Sequence, residues 1–349
     1  MPSTLPRLAG VAAALLLTAC GASSTTAPAE PDTPSATSTP DAAVTVYPDF
    51  NALWNYSDPA GTEAVFRARL DEEPPATLDE RLQLETQIAR TLGLQRDFDG
   101  AHALLDTIEP QLDDTTPVAR VRYLLERGRA LRSGGDAPAS IPLFVEAWDL
   151  ARDAGYDGYA VDAAHMVGIA ETGEASLEWN LTAIAYAEQS EQDEGQRWLG
   201  SLYNNTGWSL HDLERYDEAL DLFERALVFR EGTGNTTTIR IAKWCVGRVL
   251  RSLERYDEAL AIQQALHDEY AADGEPSGYV FEELGELHLV MGDGDAAAPF
   301  FAEAYGILSQ DPWLMSNEAD RITRLAELGG VDVDAATEGD GDSAPADDD

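Results

Sequence analysis

The chain has 349 residues, and its 64 acidic residues against 23 basic ones give a net charge of −41. Binding to free nucleic acid is disfavoured, because affinity for a phosphate backbone comes from clustered Lys and Arg side chains. The basic residues are all arginines except Lys243, which follows Ala242. This excludes a Walker-type phosphate loop, which needs Gly-Lys, and serine acylases that need a Lys three residues after the Ser.

The N-terminus has the features of an export signal. Arg7 precedes an apolar stretch at residues 8–19, which is shorter than the roughly 20 residues that a membrane-spanning helix needs. The stretch ends in LTAC at residues 17–20, which resembles the bacterial lipobox, whose cysteine is acylated. We therefore expect residues 1–19 to be a lipoprotein signal peptide and Cys20 to carry a palmitate-type anchor. A cleaved signal without lipid is the alternative.

The two ends of the remaining chain lack the apolar residues that a core requires. Residues 20–45 are rich in Ser, Thr, Ala and Pro, which predicts a disordered tether behind the lipid anchor. Residues 331–349 carry many carboxylates and no basic residue, which predicts a solvated acidic tail. The folded region is therefore predicted to span residues 46–330.

Helical periodicity runs through the folded region. The octapeptide LERYDEAL occurs at residues 213–220 and again at residues 253–260. After the first copy begins, apolar residues recur at the spacing i, i+1, i+4, i+7 and i+8, which places one apolar stripe on a helix. Each copy is predicted to span the turn between two helices, with Asp217 and Asp257 capping the second helix of the pair.

The helix pairs place small and aromatic residues at set positions. The clearest copy consists of Tyr203, Thr206, Gly207, Leu210, Ala219, Phe223 and Ala226. Weaker copies occur upstream and downstream, and in one of them Gln263 replaces the Phe. This pattern resembles the tetratricopeptide repeat, a helix pair with large, Gly, Ala and Phe residues at set positions.

The resemblance implies an all-α fold, a right-handed superhelix (α-solenoid) of about six helix pairs over residues 80–308. A helix at residues 59–70 is expected before the pairs. A closing helix at residues 316–328 is expected to act as a C-terminal cap, because a terminal repeat has no neighbour to cover its apolar face.

The sequence lacks the residue patterns of familiar catalytic and metal sites. Its five histidines are dispersed without the i, i+4 spacing of zinc peptidases, and it contains no G-x-S-x-G motif. Asp293 and Asp295 flank a glycine as in a calcium loop, but Ala304 stands where such a loop needs Glu. Cys245 lies on an apolar helical pattern and is predicted to be buried. We expect no metal, no cofactor and no enzymatic activity.

In superhelices of this type the first helix of each pair lines the concave face, so its residues outside the apolar stripe are candidates for binding a ligand. Arginines of this face fit a carboxylate through two parallel hydrogen bonds, and a neighbouring Trp offers a cation–π contact. The alternative is that these arginines pair with Glu and Asp of neighbouring helices. The candidates are Arg90, Arg122, Arg129, Arg132, Asn204, Asn205, Trp208, His211, Trp244, Arg248 and Arg251.

These features together predict a non-catalytic scaffold or adaptor that is exported and lipid-anchored in a bacterial cell envelope. Its expected partner is a protein or peptide, in particular an acidic or C-terminal segment, and its membrane contact is through the lipid alone. Two alternatives remain open: a structural or self-assembling component of an envelope complex, and a hydrolase acting on envelope polymers. Fold alone cannot choose among them.

Overall fold

The computed structural model describes residues 46–72 and 75–332, and this part of the chain is helical without β-strands. A 3₁₀ turn at Asp49–Leu53 is followed by α1 (Pro59–Glu72). Three helix pairs come next, with a second 3₁₀ turn at Glu109–Gln111 between the first two: α2 (Leu78–Leu94) with α3 (Phe98–Ile108), α4 (Pro117–Ser133) with α5 (Ala137–Ala154), and α6 (Asp157–Ala170) with α7 (Gly173–Gln189).

A short helix, α8 (Asp193–Gln196), precedes the remaining three pairs. These are α9 (Leu199–Asp212) with α10 (Tyr216–Thr233), α11 (Thr236–Ser252) with α12 (Tyr256–Asp273), and α13 (Gly278–Val290) with α14 (Gly294–Leu308). The last two helices are α15 (Pro312–Asn317) and α16 (Ala319–Gly329). The predicted fold class, all-α with six tetratricopeptide-like pairs and a C-terminal capping helix, is confirmed.

The described residues form two compact units, residues 46–209 and residues 210–332, whose boundary falls within α9. In the first unit, the first helices of successive pairs, α2, α4 and α6, are neighbours in that order, and in the second unit α11 neighbours α13. The first helices of each unit therefore form a continuous surface within that unit.

The residue before the second helix of a pair supplies the cap in several pairs. Asp97, Asp136 and Asp293 each accept a hydrogen bond from the backbone N–H three residues later. The prediction that Asp217 and Asp257 cap their helices is wrong. The N-cap residues there are Arg215 and Arg255, which make no side-chain cap bond, so the two aspartates lie in the first helical turn. Their charge still meets the positive end of the helix.

The glycines of the repeat allow the two helices of a pair to approach closely. A Cβ on Gly128 would lie 2.4 Å from the ring of Phe144, and a Cβ on Gly285 would lie 2.9 Å from the ring of Phe301. Both rings are almost fully buried. This is the role that the sequence pattern predicts for small residues facing the Phe position.

The two ends of the repeat array are covered by different elements. At the start, Phe50 and Phe66 pack with Leu84 and Ile88, so the N-terminal residues and α1 cover α2. At the end, α15 and α16 cover α14 through a cluster that includes Leu314, Ile322 and Leu325. The single closing helix predicted at residues 316–328 is therefore two helices, because Glu318 adopts a non-helical conformation between them.

Candidate functional site

The N-terminal segment, residues 46–58, lies against the first helices of three successive pairs. Trp54 donates its indole N–H to Gln87 Oε1 of α2 at 3.2 Å. Tyr159 of α6 donates its hydroxyl to the carbonyl oxygen of Val46 at 2.9 Å. Because these bonds join positions 33 and 113 residues apart, no local sequence pattern indicates them.

Tyr47 holds the start of the segment on α6. Its hydroxyl accepts a hydrogen bond from the Gly158 backbone N–H at 3.0 Å, and its ring lies 5.2 Å from the ring of Tyr159. Burial raises the pKa of the Tyr47 hydroxyl, although the bond from Gly158 acts in the opposite direction. Tyr47 therefore stays protonated and can donate to Gln192 Oε1, 3.4 Å away.

Two of the predicted ligand-binding arginines contact this segment. Arg122 of α4 donates to Asn51 Oδ1 at 2.9 Å, and only 4% of its surface is exposed. The guanidinium of Arg90 lies 5.7 Å from the Trp54 ring and 5.6 Å from the Tyr56 ring, within cation–π distance. This part of the predicted binding surface is therefore occupied by the chain itself.

Arg129 is the centre of an ion-pair cluster between α4 and α6. Its Nη2 lies 2.5 and 2.6 Å from the two carboxylate oxygens of Asp162, and its Nη1 donates to Glu126 Oε1 at 2.6 Å. Arg90 Nη1 lies 3.4 Å from the same Glu126 oxygen. Burial raises the pKa of Asp162, but Arg129 and Arg90 outweigh that effect and hold the pKa below its ordinary value.

Arg132 differs from these arginines. It is half-buried in the last turn of α4, and it makes no hydrogen bond or ion pair with any residue in the described ranges. Burial lowers the pKa of Arg132. Its electrostatic neighbour is His165, whose pKa is lowered by burial, by Arg129 and by Arg132 itself.

Two asparagine side chains contact the ring of His165. Its Nδ1 lies 3.2 Å from Asn180 Oδ1, and its Nε2 lies 3.5 Å from Asn205 Nδ2. A neutral ring satisfies both contacts if Nδ1 carries the proton and Nε2 accepts. Asn205 Oδ1 in turn accepts a hydrogen bond from Asn204 at 3.2 Å. Asn204, Asn205 and Trp208 are half-buried on α9.

In the second unit, Arg248 and Arg251 of α11 converge on Glu283 of α13. Arg251 donates from Nε and Nη2 to the two oxygens of Glu283 at 2.8 and 2.9 Å, and Arg248 Nε lies 3.2 Å from Oε1. Burial raises the pKa of Glu283, but the two arginines outweigh it and leave the pKa below its usual range. The predicted arginine pair therefore clamps a carboxylate of its own chain.

His211 and Trp244 also have partners within the second unit. His211 Nε2 lies 2.9 Å from Ser252 Oγ, and burial, with Arg248 and Arg251, lowers the pKa of His211 to about 4. Trp244 is 7% exposed and donates its indole N–H to a carbonyl of α13 at 3.1 Å. It therefore presents no open aromatic surface.

The structure thus shows the internal pairing that the sequence left as an alternative. Arg90, Arg129, Arg248 and Arg251 each contact a carboxylate of their own unit. The sequence does not identify these carboxylates, because 64 acidic residues offer too many equivalent partners. Ligand binding by this surface remains a prediction, and it rests on Arg132, Asn204, Asn205 and Trp208.

The structure also bears on metal ligands, membrane-spanning helices and the two cysteines. No group of three or more potential metal ligands occurs within residues 46–72 and 75–332. None of the helices described is long and apolar enough to cross a membrane. Cys245 is buried, as predicted. Cys20 and the predicted signal peptide, tether and most of the acidic tail lie outside the described residues.

Comparison with known proteins supports the repeat type. Residues 199–233, which include α9 and α10, match the tetratricopeptide repeat model. No curated protein sequence matches the chain. The fold is that of a helical-repeat protein, in which the pair α9 and α10 matches the tetratricopeptide repeat.

Several solved structures have a similar fold at low sequence identity. The apo form of RapI is 14% identical with a TM-score of 0.64, and the match covers 82% of each chain. The apo form of the quorum sensor NprR from B. thuringiensis is 13% identical with a TM-score of 0.56, over 83% of each chain. A STAND signal transduction ATPase with a tetratricopeptide repeat sensor, from Pyrococcus horikoshii, is 12% identical with a TM-score of 0.59, over 79% of this chain and 45% of the other.

Proposed function

We propose that this protein is a non-catalytic scaffold that binds a protein or peptide partner through the first helices of its repeats. The observation that carries the proposal is the N-terminal segment. Residues 46–58 lie across α2, α4 and α6 and are held by side chains from all three helices, including Gln87, Arg122 and Tyr159. The surface is thus suited to holding a peptide segment through aromatic contacts and hydrogen bonds to its backbone.

The chemistry of the remaining surface supports the same function. Asn204, Asn205 and Trp208 offer amide donors, amide acceptors and an aromatic ring on one half-buried helix. Ligand sites commonly combine apolar area with a small number of polar groups that fix the orientation of the ligand. Among proteins of similar fold, NprR is described as a quorum sensor and has been solved in complex with its cognate peptide NprX.

The proposed setting is the bacterial cell envelope, with the protein exported and held at a membrane by a lipid on Cys20. The basis is the sequence of residues 1–20, with its short apolar stretch and terminal LTAC. Labelling with radioactive palmitate is expected to mark the wild-type protein and not Cys20→Ser. Equal labelling of both would contradict the anchor.

Site-specific photo-crosslinking tests the binding surface. A benzoylphenylalanine in place of Trp208 keeps an aromatic side chain on α9, and the control position is the exposed Glu178 on the second helix α7. In cells, we expect a crosslinked partner from position 208 and none from position 178. Equal crosslinking from both positions, or none from position 208, would refute the proposal.

The identity of the crosslinked product also distinguishes an adaptor from a self-assembling component. If mass spectrometry identifies the partner at position 208 as a second copy of this chain, the protein is a self-assembling component rather than an adaptor. A different protein or peptide supports the proposal. Light scattering on the purified protein gives an independent measure of self-association.

A further inference from the structure

Among the residues that the structure describes, Arg132 is a cation without a counter-charge, although the chain is strongly acidic. The protein has 64 acidic residues against 23 basic ones, and the partly buried arginines Arg90 and Arg129 both contact Glu126. Arg132 contacts no carboxylate in residues 46–72 and 75–332. It lies three residues after Arg129 on α4, which places the two side chains on the same side of the helix.

The surroundings explain why Arg132 has no partner in this part of the chain. The carboxylates of Asp162 and Glu126 between α4 and α6 both pair with Arg129. The group that Arg132 does influence, His165, is neutral and bonded to two asparagines. A partly buried guanidinium that makes no ion pair loses hydration without a compensating attraction, which is unfavourable in the absence of a bound anion.

The N-terminal segment leaves this position free. Its contacts with α4 and α6 are made by Arg122, Gly158 and Tyr159. Arg132 follows Arg122 by ten residues, a rise of about 15 Å along an α-helix. On α4 the segment therefore contacts Arg122, well before the last turn of the helix, where Arg132 lies.

Arg132 also has a simpler structural explanation. A cation in the last turn of a helix interacts favourably with the C-terminal end of the helix dipole. That interaction is equally available to a fully exposed side chain, so it does not account for the burial of an unpaired guanidinium. The experiment below separates the two explanations, because an effect of the dipole has no influence on binding.

We propose that Arg132 is the anion-recognising residue of the peptide-binding surface, and that it accepts a carboxylate of the bound partner. The inference rests on the proposed function and adds the chemical class of the ligand. A guanidinium presents parallel N–H donors that fit a carboxylate in two hydrogen bonds. The carboxylate comes from an acidic side chain or from the C-terminus of the partner.

Fluorescence anisotropy with two labelled peptides tests the proposal on the full chain in mild detergent. One probe is a fluorescein-labelled Gly-Glu-Gly-Glu-Gly with an amidated C-terminus, and the other is a labelled Gly-Gln-Gly-Gln-Gly with a free C-terminal carboxylate. An amidated Gly-Gln-Gly-Gln-Gly serves as the uncharged control. We expect one carboxylate probe to bind, which identifies the source of the carboxylate, and the uncharged control to bind at least tenfold more weakly.

The variants make the assignment specific to Arg132. Arg132→Met is expected to weaken binding of the carboxylate probe at least tenfold, about 1.4 kcal/mol. Arg132→Lys should retain part of the affinity. The matched control is Arg120→Met on the same helix. Arg120 pairs with the exposed Glu146, so this substitution should leave binding unchanged. Equal binding by wild type and Arg132→Met would overturn the proposal, and so would a wild-type protein that binds neither carboxylate probe.

The acidic tail provides a competing source of carboxylates within the chain. If the full chain binds no probe but a chain ending at Asp332 does, the occupant is the tail and the proposal of an external partner is overturned. Failure of this inference differs from failure of the proposed function. If the partner crosslinked at position 208 is still captured in Arg132→Met, the proposed carboxylate contact is refuted and the proposed scaffold function is not.

Discussion

Arg129 and Asp162 form an ion pair between the first helices of two successive repeats, in which Arg129 Nη2 lies 2.5 and 2.6 Å from the two carboxylate oxygens. Arg129 also holds Glu126, whose side chain is 3% exposed. Replacing Arg129 with Met leaves two carboxylates almost fully buried without their main counter-charge. We expect Arg129→Met to lower the free energy of unfolding by about 3–5 kcal/mol, measured by urea denaturation.

An exposed pair on the same helix is the control for that prediction. Arg120 and Glu146 are both nearly half exposed, so solvent screens their attraction. Arg120→Met should change the free energy of unfolding by less than about 1 kcal/mol. Similar losses for the two variants would show that the buried cluster is not what joins α4 to α6.

Arg132→Met is expected to change stability in the opposite direction. The substitution removes a half-buried cation that contacts no described carboxylate and keeps much of the apolar stem. We expect the free energy of unfolding to rise by about 0.5–1 kcal/mol. Urea denaturation without any peptide present gives this value. A loss of stability would instead indicate that Arg132 has a structural role in the free protein.

Much of the fold follows from the local pattern. The helix pairs, the glycines that face Phe144 and Phe301, and a helix near residue 59 are all indicated by residues close together in the sequence. Local packing of one helix on the next dominates a repeat array, so periodicity is informative there. The caps were less predictable, because Asp217 lies close enough to a helix start to suit either the cap or the first turn.

The candidate surface was less predictable than the fold. The sequence identified its arginines, because they lie outside the apolar stripe of the first helices. It did not indicate that Arg129 reaches Asp162, 33 residues away, or that Arg122 reaches Asn51, 71 residues away. Such pairs depend on how repeats stack and on where residues 46–58 lie, and neither is encoded by spacing within one helix.

The contact between Gly128 and Phe144 leads to a packing prediction. A Cβ at position 128 would lie 2.4 Å from the ring, so α4 and α5 must separate or the ring must leave its position. We expect Gly128→Ala to lower the free energy of unfolding by about 1–3 kcal/mol. The matched variant is Gly93→Ala on α2, where a Cβ meets nothing within 4 Å. It should stabilise by about 0.5 kcal/mol through helix propensity, and thermal melting of both variants checks the difference.

The repeated octapeptide contains a strained residue in each copy. Glu214 and Glu254 have φ values of 59° and 60°, whereas the turns of two other pairs place Gly135 and Gly292 in the positive-φ region. A side chain in the left-handed region is unfavourable by about 1 kcal/mol. Glu254→Gly should therefore raise the melting temperature, with a gain of about 0.5–1 kcal/mol.

Glu254→Ala distinguishes backbone strain from loss of the carboxylate. Alanine has a Cβ and keeps the strain, so this variant should not share the gain of the glycine variant. Equal stabilisation by both substitutions would attribute the effect to charge repulsion in the acidic chain rather than to φ.

His211 makes stability depend on pH in a defined window. Burial, with Arg248 and Arg251, lowers its folded-state pKa from 6.5 to about 4, while Glu283 acts weakly in the opposite direction. Between these values the unfolded chain binds a proton at His211 that the folded chain does not. The contribution of neutral His211 to the free energy of unfolding is therefore complete above about pH 6.5 and falls as the pH approaches 4. Urea denaturation at pH 7, 6, 5 and 4 should show the stability difference between wild type and His211→Gln shifting against wild type as the pH falls. A difference that stays constant over this range would show that His211 is accessible to protons in the folded protein.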